Sequence, residues 1–179
     1  MEKLIDIDGN AYSTVQIGNQ IWTTKNLSTT KFNDGTVIPN VIDDEQWSKL
    51  ITPGYCFYDN TADISAREKY GALYNWYAVD TKKLAPTGWH VPTDAEWQTL
   101  SDFLGGDGVA RIEMFEEFLC GYRGYGANFD YQDCIGGWWS TAESDALHAY
   151  SRNLYYRDSI LNRDDDDKVY GFSVRLIKD

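Results

Sequence analysis

From Ala11 the chain alternates polar and apolar positions through Ile17, and Gln20 to Asn26 forms a second strand-like run beyond Gly18-Asn19. Alternation with a period of two sends successive side chains to opposite faces of a strand, and a Gly-Asn pair tolerates the positive φ of a two-residue turn. The segment therefore predicts a β-hairpin. From Leu27 to Asn60 the rhythm is lost. Turn signals stand at Asn33 to Gly35 and at Pro53-Gly54, and Trp47, Tyr55 and Tyr58 predict a loop packed onto the domain. Between Ser65 and Val79 the large residues Tyr70, Leu73, Tyr74, Trp76 and Tyr77 are spaced closer to 3.6 than to 2, which predicts a helix. Thr93-Asp94-Ala95-Glu96 is a capping box, and Trp97, Leu100, Phe103 and Leu104 follow before Gly105-Gly106, predicting a helix from Asp94 to Leu104. Short runs then return. Phe118 to Arg123, Trp138 to Thr141, Ala149 to Tyr156 and Val169 to Ile177 predict strands, the last with Tyr170, Phe172, Val174 and Leu176 on one face and Ser173 and Arg175 on the other. Strands, then helices, then strands is the order of an α+β domain: two helices beside an antiparallel sheet whose first and last strands pair.

Composition narrows the partners. No period of 20 to 50 residues repeats and no Pro- or Ser-rich linker interrupts the 179 residues, so 1–179 reads as one domain. Acidic side chains outnumber basic ones by 28 to 16, and the basic ones are scattered singly, which leaves no face to neutralise a nucleic-acid backbone. With 15% aromatic residues the chain is far too rich in large rings to be a disordered acidic segment. No apolar run approaches the ~18 residues of a membrane span. The opening MEKLIDIDGN has no signal-peptide pattern, so the chain reads as soluble, a trimmed upstream leader being left open. Cys56, Cys120 and Cys134 include no CxxC pair and fit no zinc ribbon; their odd number leaves at least one thiol free or bound to another chain.

Candidate chemistry is sparse. Asp164 to Asp167, followed by Lys168, could offer oxygens to Ca²⁺, but adjacent extended residues point to opposite sides, so the run predicts a solvated hairpin tip. Asp6, Asp8 and Asn10 resemble the start of an EF-hand loop, yet Ile17 stands where its Glu belongs, and a strand-entry turn is expected. Asp59 to Asp63 reads as a turn, and Glu113, Glu116 and Glu117 as one solvated face. His90, in GWHVP, reads as a hydrogen-bonded structural imidazole; two histidines cannot build a His-rich metal site, and no nucleophile elbow is present. No metal and no cofactor is expected.

Five ordered blocks carry a family resemblance: DIDGNAYSTVQIGNQIWTTKNL (Asp6 to Leu27), YGALYNWYAV (Tyr70 to Val79), APTGWHVPTDAEWQTL (Ala85 to Leu100), GGWWSTAE (Gly136 to Glu143) and YGFSVRLIKD (Tyr170 to Asp179). Together they resemble the Fibrobacter succinogenes major paralogous domain. The resemblance implies a C-type-lectin-like fold, close to the formylglycine-generating sulfatase-modifying enzymes, in which Trp89, Trp97, Trp138 and Trp139 are scaffold. Members often carry Cys where this chain has Ala85 and Leu176, which implies a bridge lost here. The cysteines those enzymes use shortly before the last block are missing, since no Cys follows Cys134. The sugar-ligand words E-P-N and W-N-D of calcium-dependent lectins are missing too.

The same fold family includes receptor-like proteins whose C-terminal third is rewritten by diversity-generating retroelements. Gly121 to Tyr170 has that texture, with scaffold-like words interrupted by idiosyncratic residues. The resemblance thus implies a non-enzymatic binding module whose ligand surface spans roughly residues 121–170. Tyr125, Tyr155, Leu147 and Leu161 are expected to give apolar contact there, and Asp133, Asp145, His148, Ser151, Arg157 and Asp158 polar contact. Tyr155 and Arg157 are the residue types that dominate binding hot spots. The implied ligand is a protein or a glycan, and the implied setting a cell surface, a secreted form or a phage particle. Two readings stand beside it: an enzyme of the formylglycine-generating type, and a calcium-dependent glycan-binding lectin.

Overall fold

The computed structural model describes residues 3–104, 118–156 and 161–179. Strands β1 (Lys3–Ile5), β2 (Ala11–Ile17) and β3 (Gln20–Thr23) form an antiparallel meander, with Tyr12 and Thr14 of β2 turned inward and Ala11 and Ser13 outward. The chain continues through α1 (Asp44–Ser48), β4 (Tyr55–Cys56), α2 (Ile64–Tyr70), β5 (Leu73–Tyr74), α3 (Trp76–Asp80), β6 (Trp89–His90) and α4 (Asp94–Phe103). It ends with β7 (Tyr122–Arg123), β8 (Phe129–Asp130), β9 (Ile135–Glu143), β10 (His148–Tyr155), β11 (Leu161–Asp167) and β12 (Ile177–Lys178). The strands assemble into a five-stranded sheet in the order β1-β2-β3-β12-β6, a three-stranded sheet β11-β10-β9, and the pairs β4-β5 and β7-β8. The architecture is α+β.

The described residues hold four α-helices where the spacing predicted two. The expected helix over Ser65 to Val79 is broken in the middle. Gly71 sits at φ +75°, and a Cβ there would lie 2.8 Å from both Asn26 Cβ and the Leu27 carbonyl oxygen, so the chain turns away from the helix axis. Leu73 and Tyr74 then pair with β4, and Asn75 caps a new helix by accepting from the Ala78 N–H. The tyrosines and tryptophan counted as a helical stripe thus serve three elements. The capping box of α4 forms as the sequence predicts: the Thr93 hydroxyl accepts from Glu96 N–H at 3.2 Å and the Glu96 carboxylate accepts from Thr93 N–H at 2.8 Å. Trp97 and Leu100 are buried, whereas Phe103 is exposed and rests beside Gly18 of the hairpin turn.

The last predicted strand is also different. Only β12 is regular, and it pairs with β3 and β6, not with β2. Upstream, Gly171 bridges Arg123, Phe172 bridges Tyr74, Ser173 bridges Trp138, and the Val174 carbonyl accepts from Leu27 N–H. With partners changing at almost every residue no ladder can develop, and both side-chain sets, including Ser173 and Arg175, are buried apart from the half-buried Tyr170. Likewise, of Phe118 to Arg123 only Tyr122 and Arg123 form a strand.

All seven tryptophans are buried. Those of α4 and the hairpin meet β9, with ring centroids 4.8 Å apart for Trp22 and Trp97 and 6.3 Å for Trp97 and Trp138. The three-stranded sheet therefore has two unlike faces. Trp138, Leu154 and Leu161 pack toward α4, while Gly137, Trp139, Ser151, Asn153, Asp164 and Asp166 alternate to the other side, where Phe172 meets Trp139 at 4.8 Å. Asp164 to Asp167 lie in edge strand β11, not at a hairpin tip. Asp is a poor strand former. Here partners hold the strand: Asp164 and Asp166 bond to Asn153 and Ser151, and Arg163 reaches across to Asp94 of α4.

Candidate functional site

The second face of the three-stranded sheet floors a cavity of about 430 Å³. Ile135, Asn153, Tyr155, Asp164 and Asp166 come from β9, β10 and β11, and Tyr122, Tyr131, Tyr170 and Phe172 stand around them. The rings are ordered against one another. Tyr122 and Tyr170 stack at 6.0 Å with planes 4° apart, Tyr131 lies 5.7 Å from Tyr122, and Phe172 stands edge-on to both Tyr122 and Tyr170 at 5.8 Å. Room for Phe172 comes from Gly137. A Cβ there would fall 2.4 Å from its Cδ1, so the ring can lie directly on the sheet only over glycine. Tyr131 holds a left-handed backbone at φ +65°, fixed by its carbonyl accepting from the N–H groups of Cys134 and Ile135. Such strain in a large residue is costly and concentrates where geometry serves binding.

The polar floor is a short chain of hydrogen bonds. Asn153 Nδ2 donates to Asp164 Oδ2 at 3.0 Å and to Ser151 Oγ at 3.2 Å, and Ser151 Oγ donates to Asp166 Oδ2 at 2.5 Å. Burial raises the Asp166 pKa against the help of Ser151, and the neighbouring Asp164 carboxylate raises it further. Burial also pushes the Tyr122 phenol up to about 12, and raises that of Tyr170, where Asp166 and Asp167 add to the effect. Among the described residues the lining carries two carboxylates and no basic side chain.

The expected site residues are dispersed. Tyr155 stands at the cavity, and Ser151 lies beneath it as the partner of Asp166. Ser151 is fully buried, so it acts through that carboxylate and not as a contact of its own. Tyr125 and Leu147 are exposed and line a separate depression of about 220 Å³ with Leu50, Ile51 and Tyr77. Asp133 is exposed elsewhere, accepting from the Tyr70 hydroxyl at 2.6 Å. Asp145 closes the β9–β10 turn: its Oδ1 accepts from the N–H groups of Leu147 and His148 and contacts His148 Nδ1, and these bonds pull its carboxyl down to about 2. His148 belongs to that turn. Leu161 is a core residue, 1% exposed and paired with Leu154 on the face toward α4, because strand alternation sends it away from Asp164 and Asp166. Arg157 and Asp158 lie outside the described residues.

Eight of the nine cavity residues were not anticipated: Tyr122, Tyr131, Ile135, Asn153, Asp164, Asp166, Tyr170 and Phe172. The available signal was the period-two set Asp164 and Asp166 facing Ser151, Asn153 and Tyr155, which becomes visible only once the acidic run is placed in a strand.

Other candidates have structural partners. Asp6 accepts from Asp8 N–H, Asn10 N–H and the Tyr12 hydroxyl, making the strand-entry turn. Asp8 is held by Thr30 and Lys31, and Asp63 caps α2. His90 is wedged between Asp179 at 2.6 Å and Glu96 at 2.9 Å. Cys56 and Cys120 are buried and Cys134 is exposed, all three as free thiols. Burial pushes the Cys56 thiol up to about 12 and that of Cys120 higher still, so neither is a thiolate near neutral pH. Among the described residues no three His, Cys, Asp or Glu side chains gather as a metal site, and no helix is long and apolar enough to cross a membrane.

The sequence matches the family described as the Fibrobacter succinogenes major domain over residues 15–117, more than half of the chain. The matched span holds the hairpin strand β3, Trp47, the broken helix and α4; every cavity residue lies C-terminal to it. No curated protein matches the chain.

Proposed function

The chain belongs to the Fibrobacter succinogenes major domain family, and from that membership we propose that it is a binding module, not an enzyme. Its C-type-lectin-like scaffold would present a ligand face built by residues 121–170 and the start of the last block. The observation that carries this is the tyrosine-walled cavity on the free face of the three-stranded sheet. Preorganised tyrosines offer large contact area with little rotamer freedom to lose on binding, which is why they dominate recognition surfaces. The return of β12 onto β3 beside a separate small sheet supports the scaffold reading. The buried, neutral thiols of Cys56 and Cys120 lend no support to cysteine oxidation chemistry. The ligand would be a protein or a glycan, met at a cell surface, in a secreted form or on a phage particle. A retroelement-diversified face would carry a reverse transcriptase gene and an imperfect repeat of the 3′ coding region beside it.

The test is a selection with two probes, a phage-displayed random peptide library and a glycan array, each applied to the unaltered chain and to the double variant Tyr122→Ala, Tyr170→Ala. Ligands that bind the former and lose binding to the latter support the proposal, provided far-UV circular dichroism shows the variant folded. No selectable ligand on either probe, or ligands indifferent to the two tyrosines and to Tyr155→Ala, would overturn it.

A further inference from the structure

We infer that the tyrosine-walled cavity recognises an organic cation: an ammonium head, methylated or not, free or at the end of a lysine side chain. This rests on the binding-module reading and names the chemistry of its ligand. The walls are four tyrosines and a phenylalanine. Aromatic faces carry negative quadrupole potential and attract an ammonium group placed over them, an attraction that grows as water is excluded. Tyr122, stacked on Tyr170 and flanked by Tyr131, has its ring in the middle of that wall.

The floor supplies the complementary charge. Asp164 and Asp166 lie two residues apart on β11 and therefore on one side of the strand, facing the cavity. Each carboxylate accepts a neutral side-chain donor, Asn153 for Asp164 and Ser151 for Asp166, and a neutral donor cancels no charge. Among the described residues, two nearby basic side chains are engaged elsewhere. Lys168 bonds Glu143 and two backbone carbonyls, and Arg163 spans Asp94 and the Tyr150 ring on the opposite face. The upward shifts at Asp166, Tyr122 and Tyr170, which follow first from burial and then from neighbouring negative groups, agree with a site whose charge a cation would balance. A formal charge of −12 over the whole chain would also draw a cation in from a distance.

A cavity of about 430 Å³ takes a trimethylammonium group or a lysine terminus with part of its stem. A neutral sugar is disfavoured by comparison, because its hydroxyl groups would have to satisfy two carboxylates without neutralising either.

Isothermal titration calorimetry on the full chain tests this with three probes: choline, 3,3-dimethyl-1-butanol as its uncharged isostere, and a short peptide with a central trimethyllysine. Choline or the peptide should bind, and the isostere at least about tenfold more weakly, because it has the shape without the charge. Binding of choline alone marks a free small cation as the source; a large advantage for the peptide marks a protein side chain. Asp166→Asn and Asp164→Asn should each weaken cation binding about fivefold or more. Asp164 is exposed, so its variant keeps the test meaningful should the Asp166 variant unfold. Equal binding of choline and isostere, or cation binding indifferent to both aspartates, overturns the inference. If no cation binds while library peptides or glycans still require Tyr122 and Tyr170, the cation inference fails and the binding-module reading survives. If nothing binds on any probe, both fail.

Discussion

Replacing Gly137 with alanine adds one methyl group near the start of β9 and should cost more than its size suggests. The new Cβ would sit 2.4 Å from Phe172 Cδ1, 2.7 Å from Cε1 and 3.0 Å from Asn153 Oδ1. Carbon atoms at rest lie ~3.5–4 Å apart, so the ring must retreat by more than about 1 Å. It has little room. Trp139 lies 4.8 Å away, Tyr122 and Tyr170 each stand at 5.8 Å, and the ring is almost wholly buried. Overpacking of this kind costs about 1–3 kcal/mol, against which alanine's better strand behaviour returns about 0.5–1 kcal/mol. The expected net loss is about 1 kcal/mol, or roughly 2–4 °C in Tm for a chain of this length. Differential scanning calorimetry reads it directly. Gly124→Ala is the matched control, since its Cβ would come no closer than 3.7 Å to any atom and its φ is not left-handed. If Gly137→Ala melted within about 1 °C of the unaltered chain, the close approach of Phe172 to the sheet would be refuted, and with it this account of the cavity wall.

Leu161→Ala should cost about 2–5 kcal/mol as a cavity in the α4-facing core, whereas Leu147→Ala, on a residue 65% exposed, should stay within about 0.5 kcal/mol; urea midpoints separate them. Arg123 is fully buried, stacks on Trp47 and Phe129, and donates to the carbonyls of Val41, Ile42 and Ala127 and to Asp44. Arg123→Met should therefore destabilise by roughly 3 kcal/mol in the same assay, mainly through orphaned acceptors. Burial by itself would lower the His90 pKa, but the bonds to Asp179 and Glu96 prevail and raise it. Protonated His90 then stabilises the fold fully below its ordinary value near 6.5 and progressively less as pH rises through the raised one. The Tm advantage over His90→Gln should shrink from pH 6 toward pH 8, and an advantage that grew over that range would contradict the assignment.

What the chain declares in advance is whatever depends on near neighbours in sequence. The hairpin around Gly18-Asn19 and the capping box of Thr93 and Glu96 are settled within a few residues, and both form. The helix expected over Ser65 to Val79 fails because Gly71 takes a left-handed φ where Asn26 and Leu27, about 45 residues upstream, pack too closely to admit a Cβ and the Leu27 carbonyl accepts from Ala72 N–H, which no local period records. Val169 to Ile177 alternates like a strand, yet its backbone partners are scattered through the chain and no ladder forms. The acidic run misleads for a related reason. Its strand is secured by Ser151, Asn153 and Asp94, so propensity is overruled by tertiary bonds. The cavity shares that obscurity: of the expected residues only Tyr155 reaches it, and its tyrosine walls come from segments with no motif in common.

The alternation along β10 also governs which mutations the C-terminal third can absorb. Ser151, Asn153 and Tyr155 face the cavity side while Arg152 and Leu154 face α4, so substitutions at Asn153 and Tyr155 reshape the cavity and leave Trp97 and Trp138 on the other face untouched, whereas Ser151 is buried opposite Trp139. An insertion or deletion of a single residue does the opposite. It slips the register, carries Leu154 into the polar cavity and sends Asn153 against Trp138. This strand therefore tolerates point changes at its exposed end, Tyr155, while Ser151 and Asn153 are tied to the acids of β11, and it is intolerant of changes in length along its whole course.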